Sequence, residues 1–151
     1  MLRFNYSSVI NAPVKVVWEF HERQDILQIL TPPWQPVEVI RREGGLDVDA
    51  ITEFRIFLGP IPITWLARHT EYKKYHFFAD KQISGPFEYW LHRHKFEDEN
   101  GKTRLTDEIS FSLGGGEPVE FIGGWLIQAQ LESMFRYRHQ VTKRECQQPP
   151  Y

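Results

Sequence analysis

The sequence predicts one α+β domain: a curved antiparallel sheet of about seven strands, two short N-terminal helices, and one long C-terminal helix that closes an internal cavity. Three observations predict it. Periodicity passes from strand-like at the start, through two short helical pieces and a series of alternating runs, to one long helical stretch at the end. The links between the alternating runs are short and rich in Gly, Pro and Asn, as between antiparallel neighbours. Aromatic residues make up 15% of the 151-residue chain, with 11 Phe, 6 Tyr and 5 Trp, which favours strands or a wide interior over an Ala/Leu-rich bundle.

Leu2, Phe4, Tyr6, Ser8 and Ile10 alternate with mostly polar residues, which is the period of a strand with one apolar face. Asn11 can cap a helix, and Pro13 suits its first turn ahead of Val16, Val17 and Phe20, so a helix runs to about Glu22. A second short helix over Asp25–Leu30 stops at Thr31-Pro32-Pro33. Strands follow over Pro36–Glu43, Ala50–Leu58, Ile61–Tyr72, Tyr75–Ile83, Phe87–Glu97 and Thr103–Leu113. Gly44-Gly45, Gly59-Pro60, Ser84-Gly85-Pro86 and Glu99-Asn100-Gly101 supply the turns between them. Alternation puts Ala50, Thr52, Phe54, Ile56 and Leu58 on one face, and Leu105, Asp107, Ile109, Phe111 and Leu113 on one face of a later strand. After Gly114-Gly115-Gly116 the spacing of Val119, Ile122, Trp125 or Leu126, Ala129, Leu131, Met134, Phe135 and Arg138 becomes helical. Gly123-Gly124 lowers helix propensity there, so the segment is expected to begin as a loop or kinked turn. Residues 1–146 form the single domain, and 147–151 are expected to be a loose tail that includes two prolines.

Composition narrows the function classes. A formal net charge of −2 with scattered basic residues leaves no stripe of Lys and Arg for phosphates, which argues against nucleic acid as a partner. The lone Cys146 has no internal partner, and Met1–Tyr6 lacks the apolar run of a secretion signal, so a cytoplasmic setting is expected. No stretch approaches the roughly 20 apolar residues that span a bilayer, which argues against integral membrane association.

Several motifs carry a resemblance. They are Ile10-Asn11-Ala12-Pro13, Leu30-Thr31-Pro32-Pro33-Trp34, Gly85-Pro86-Phe87 with Trp90, His92, His94 and Phe96, Gly101-Lys102-Thr103-Arg104-Leu105-Thr106-Asp107, and Met134-Phe135-Arg136-Tyr137-Arg138-His139. With the order of elements, they make the chain similar to the START, birch-pollen-allergen and polyketide-cyclase superfamily, often called SRPBCC. Within it, the chain resembles a bacterial subfamily found alone or fused to sugar-epimerase-like proteins and labelled "cell division inhibitor". The resemblance covers nearly the whole chain and implies a helix-grip fold around a cavity for a hydrophobic ligand.

The densest candidate chemistry lies in Trp90–Phe96, where Trp90, His92, His94 and Phe96 share one strand face. Asp107 on the next strand can pair with one of these histidines, and such a pair can tune an imidazole toward general acid/base work. The alternative is that both imidazoles bond to backbone or carboxylate and fill space. A metal on His92, His94 and Asp107 would want a further His from His69, His76 or His139, and no spacing brings one there, so no metal and no cofactor are predicted. Phe54, Ile56, Trp65, Trp90, Phe96, Ile109, Phe121 and Trp125 are the apolar ligand contacts expected in the cavity. Arg138 can hold a ligand carboxylate or phosphate from its wall, or cover the sheet and pair with a surface acid; Arg68 raises the same alternatives.

Three functions fit this reading. The first is storage or transport of a small apolar or aromatic molecule in the cavity. The second is a cyclase- or dehydratase-like enzyme with His92, His94 and Asp107 as acid/base groups, which the resemblance also implies. The third is an interaction module that uses Trp34, Trp18 or Phe57 as an exposed aromatic patch against a partner or, as a homodimer, another copy.

Overall fold

A computed structural model of the chain describes residues 1–58 and 60–147; Gly59, the side chain of Leu58 and the expected tail over 148–151 lie outside the described residues. The chain forms β1 (Leu2–Ile10), α1 (Val14–His21), α2 (Ile26–Leu30), β2 (Val37–Glu43), β3 (Ile51–Leu58), β4 (Ile61–Lys73), β5 (Phe77–Ser84), β6 (Tyr89–Glu99), β7 (Lys102–Ser112) and α3 (Glu117–Cys146). All seven strands join one antiparallel sheet in the order β1-β7-β6-β5-β4-β3-β2. The sheet is curved, and the long helix packs into it, giving the α+β helix-grip fold. Irregular registers at Val39/Arg41 in β2 and at Leu66/Ala67 and His69/Glu71 in β4 increase the local bend.

Local chemistry accounts for the tightest turn. Asn100 and Gly101 take φ of 56° and 83°, and the two of them alone connect β6 to β7. Two successive positive φ values define the hairpin turn that Asn-Gly adopts most readily, and its twist fixes the β6–β7 register.

Two apolar clusters fill the inner face. One centres on the fully buried Trp18 of α1, whose ring meets Tyr72, Tyr75, Phe78 and Phe96 edge-on. The other gathers Phe4, Trp65, Trp90, Ile109, Phe111, Leu131 and Phe135 beneath α3. α3 packs chiefly on β1, α1 and α2. It therefore covers the β1 side of the sheet directly and stands off from the β3–β5 side.

The glycine pair behaves differently from the expectation. α3 runs from Glu117 unbroken through Gly123 and Gly124, with Pro118 in the first turn, where proline is tolerated. A Cβ on Gly124 would lie 2.5 Å from Leu2 Cδ1, and one on Gly123 would lie 2.8 Å from Leu113 Cδ1. The missing side chains let the helix approach the end of β1, and this packing outweighs a propensity cost of about 1 kcal/mol per glycine.

Cys146 lies in the last turn of α3, and burial pushes its thiol up to about 12. Gln147 accepts a hydrogen bond from the Asn11 backbone N–H at 2.8 Å. No helix among the described residues is long and apolar enough to cross a membrane.

Candidate functional site

Strand register builds the site. Pairings set His69, Asp80 and His92 in one line across β4, β5 and β6, with Phe78, His94, Asp107 and Tyr6 in the next line across β5, β6, β7 and β1. Because side chains alternate, the members of both lines reach the inner face together.

Asp107 is the hub. It is 5% exposed, and its Oδ1 accepts from His92 Nε2 at 2.8 Å while its Oδ2 accepts from His139 Nε2 at 2.7 Å. His94 Nδ1 lies 3.3 Å from the same Oδ1, and His94 Nε2 donates to Asp80 Oδ2 at 2.9 Å. Ser8 Oγ extends the chain at 2.5 Å from His139 Nδ1. The rings of His92 and His94 stack with centroids 3.6 Å apart, and Phe78 stacks on the other face of His94 at 4.0 Å.

This environment drives the two stacked imidazoles apart. Burial and the neighbouring His94 push His92 below the usual histidine range, although Asp107 and Asp80 oppose them. At His94 burial also disfavours charge, but hydrogen bonds to Asp107 and Asp80 outweigh it and raise the imidazole. Burial opposes ionisation of both acids too. Hydrogen bonds from His139, His92 and His94 nevertheless hold Asp107 well below the usual carboxylate range, and those from His94 with the nearby imidazole charges hold Asp80 at about 2. His94 stands between two carboxylates, which favour its imidazolium form. His92 donates Nε2–H to Asp107, and burial favours its neutral form, in which Nδ1 keeps a lone pair. Groups pushed in opposite directions side by side supply an acid and a base at one place.

The site opens into a cavity of about 440 Å³ between the sheet and α3. Along β4 its wall passes from Ile63 and Trp65 through Ala67 to His69, so an apolar region leads to the charged cluster. Trp65 stacks on Phe54 and meets Trp90 edge-on, which gives that region aromatic walls.

Of the residues singled out in the sequence, His92, His94, Phe54, Ile56, Trp65, Trp90 and Arg138 line the cavity. Asp107 sits one layer behind, reaching the cavity through the imidazoles. Phe96 is buried against Trp18, and Ile109 lies under α3 with Phe4 and Phe135; neither lines the cavity, because α1 and α3 cover those strands without a gap. Phe121 and Trp125 are displaced furthest from expectation. They are 81% and 73% exposed on α3, because the helix turns Gly124 rather than its aromatics toward β1. Arg68 is exposed on the outer face. Trp18 is fully buried and Phe57 half-buried; the exposed Trp34 remains of the three residues assigned to an interaction patch, and its ring meets Tyr137.

Asp80 and Ser8 complete the cluster and were missed, and His139, which the sequence offered only as a distant further ligand, joins it through Asp107. Asp80 shares a strand face with Phe78, and His139 continues the helical spacing of Leu131 and Phe135, so both carried a periodicity signal. Asp80, His92 and His94 offer ligand atoms that all lie within 4.8 Å of one another. A cation there would have to displace the protons that tie His94 to Asp80 and His92 to Asp107, and would meet two rings stacked face to face. The observed geometry is that of a hydrogen-bonded cluster.

Known proteins share this architecture. A nucleoside-diphosphate sugar epimerase from Corynebacterium glutamicum is 28% identical with a TM-score of 0.74, over 93% of this chain and 28% of that one. The chain thus spans little more than a quarter of that protein's length. The Zhui aromatase/cyclase from Streptomyces sp. R1128 has a TM-score of 0.74 at 14% identity, over 97% of this chain and 93% of that one. A protein from Chromobacterium violaceum has a TM-score of 0.74 at 8% identity, with 97% of each chain covered. The last two likenesses establish the fold alone. No curated protein matches the chain. A family model does match, over residues 10–135, which include the α1–α2 cap, the whole β2–β7 meander and the cavity-lining part of α3 as far as Phe135, and by that match the chain belongs to the polyketide cyclase/dehydrase and lipid transport family.

Proposed function

We propose that the protein binds one small apolar molecule in the cavity between the sheet and α3, with a polar group of that molecule facing His92 and His94. The family gives the class, hydrophobic ligand binding or cyclase-like chemistry. The observation that carries the finer reading is a void of about 440 Å³ with aromatic walls leading to a buried charged cluster, which lies within the size range of small-molecule sites. Storage or transport needs nothing more than this. The likeness to part of a sugar epimerase supports placing the chain in the subgroup found alone or fused to such proteins.

A second reading has its own support. His92 and His94 both face the cavity, and their surroundings push their pKa values in opposite directions; a dehydration needs such a pair, one group taking a proton from carbon and the other giving one to a departing hydroxyl. Native mass spectrometry with organic extraction, on protein purified from its own cells, tests both. A stoichiometric apolar compound is expected. If the protein returns that compound unchanged, it is a carrier; if it returns a product lighter by one water or isomerised to a ring, it is an enzyme. An empty protein that also refuses an apolar probe would contradict both.

A further inference from the structure

Seven arginines of the described residues pair with a carboxylate: Arg23, Arg41, Arg55, Arg93, Arg104, Arg136 and Arg144. The two that line the cavity, Arg42 and Arg138, do not. Arg42 bonds Gln24 at 3.3 Å. Arg138 Nε is buried with no hydrogen-bond partner among the described residues, and its guanidinium lies 5.2 Å over the Phe135 ring. A buried guanidinium nitrogen without an acceptor is costly, and proteins seldom leave one so unless something else supplies the acceptor.

The neighbouring acids do not supply it. Asp107 is taken by three imidazoles and Asp80 by His94. Both acids are thus held by imidazoles, whereas Arg42 and Arg138 line the cavity with no carboxylate partner among the described residues. A monoanion would supply the acceptor that Arg138 Nε lacks and a charge opposite to the guanidinium.

We propose that Arg138 is the anchor for the carboxylate of an amphipathic monocarboxylic acid, whose apolar body lies along Trp65, Phe54 and Trp90. This rests on the cavity-binding reading above and adds the ligand's charge to it. The planar fork of Arg138 offers paired donors to a carboxylate, and its stacking on Phe135 holds that fork in place.

Calorimetric titration of the full chain near neutral pH with dodecanoic acid and with dodecan-1-ol tests it. The two probes share a chain and differ in the charged head. Wild type is expected to bind the acid about ten- to a hundredfold more tightly than the alcohol, the range of a charge-assisted hydrogen-bonded pair. Arg138→Met keeps the aliphatic stem, and should remove that preference while leaving alcohol binding within about threefold, which also reports that the variant is folded. Equal affinity of wild type for acid and alcohol overturns the anchor and leaves the cavity reading intact. So does a variant that keeps the preference. Failure of wild type to bind either probe overturns the cavity reading itself. Should Arg138→Met not fold, the comparison in wild type still decides.

Discussion

Asp107→Ala is expected to lower the unfolding free energy by about 3–5 kcal/mol, the range seen when one member of a buried charged cluster is removed. The size follows from what the carboxylate does. Two imidazole N–H groups, on His92 and His139, donate to its two oxygens inside the protein, and a third, on His94, lies beside Oδ1. Truncation leaves those donors unpaired and removes one of the two carboxylates beside His94. His94 should then titrate at a lower pH, held by Asp80 alone. Asp107→Asn should cost less, since the amide oxygen still accepts. Urea unfolding measures both variants. A loss below about 1 kcal/mol for Asp107→Ala would mean that the cluster contributes nothing beyond an ordinary hydrogen bond.

Acid should destabilise the protein well above the range in which its carboxylates titrate. Burial pushes His21 from 6.5 down to about 4, against the hydrogen bond to the Val17 carbonyl, and the ring is only 6% exposed. A histidine whose folded pKa is depressed is neutral in the fold and charged in the unfolded chain between those two values. Its contribution is therefore fully present above pH 6.5 and lost as pH falls to about 4, at most about 3 kcal/mol. His92 and His69 are lowered mainly by burial and act in the same direction. His94 is raised, so its contribution is present below 6.5 and lost as pH rises through its higher folded value. Stability should therefore peak near the usual histidine range and fall on both sides. His21→Phe should flatten the acid limb, because a phenyl ring fills the space beside Phe20 and Phe96 without a proton to gain. An unchanged acid limb in that variant would contradict the assignment.

Much of the fold was legible because the two periods are clean. β7 alternates over its whole length, and Asn100-Gly101 names its own turn. Gly123-Gly124 misled because propensity is local, whereas the gain from close approach to Leu2 belongs to a contact more than a hundred residues away. The site was legible in part. Period 2 put His92 and His94 on one face, but which groups meet them depends on register, and register is fixed by all the turns and bulges of the sheet together. The irregularity at His69/Glu71 in β4 helps decide what stands beside Asp80, and no residue pattern announces it. Phe121 and Trp125 show the converse limit: an aromatic at helical spacing says which stripe it belongs to, not which stripe faces inward.

The central claim is that the space between the sheet and α3 is a binding cavity. Ala67 on β4 lines it beside Thr52 and is 5% exposed, so Ala67→Trp fills the void from a rigid strand. Fluorescence titration with the neutral apolar probe N-phenyl-1-naphthylamine compares the two proteins. Saturable uptake by wild type, weakened about tenfold or more in folded Ala67→Trp, is the predicted result. Equal uptake by both proteins, or none by wild type, would contradict it.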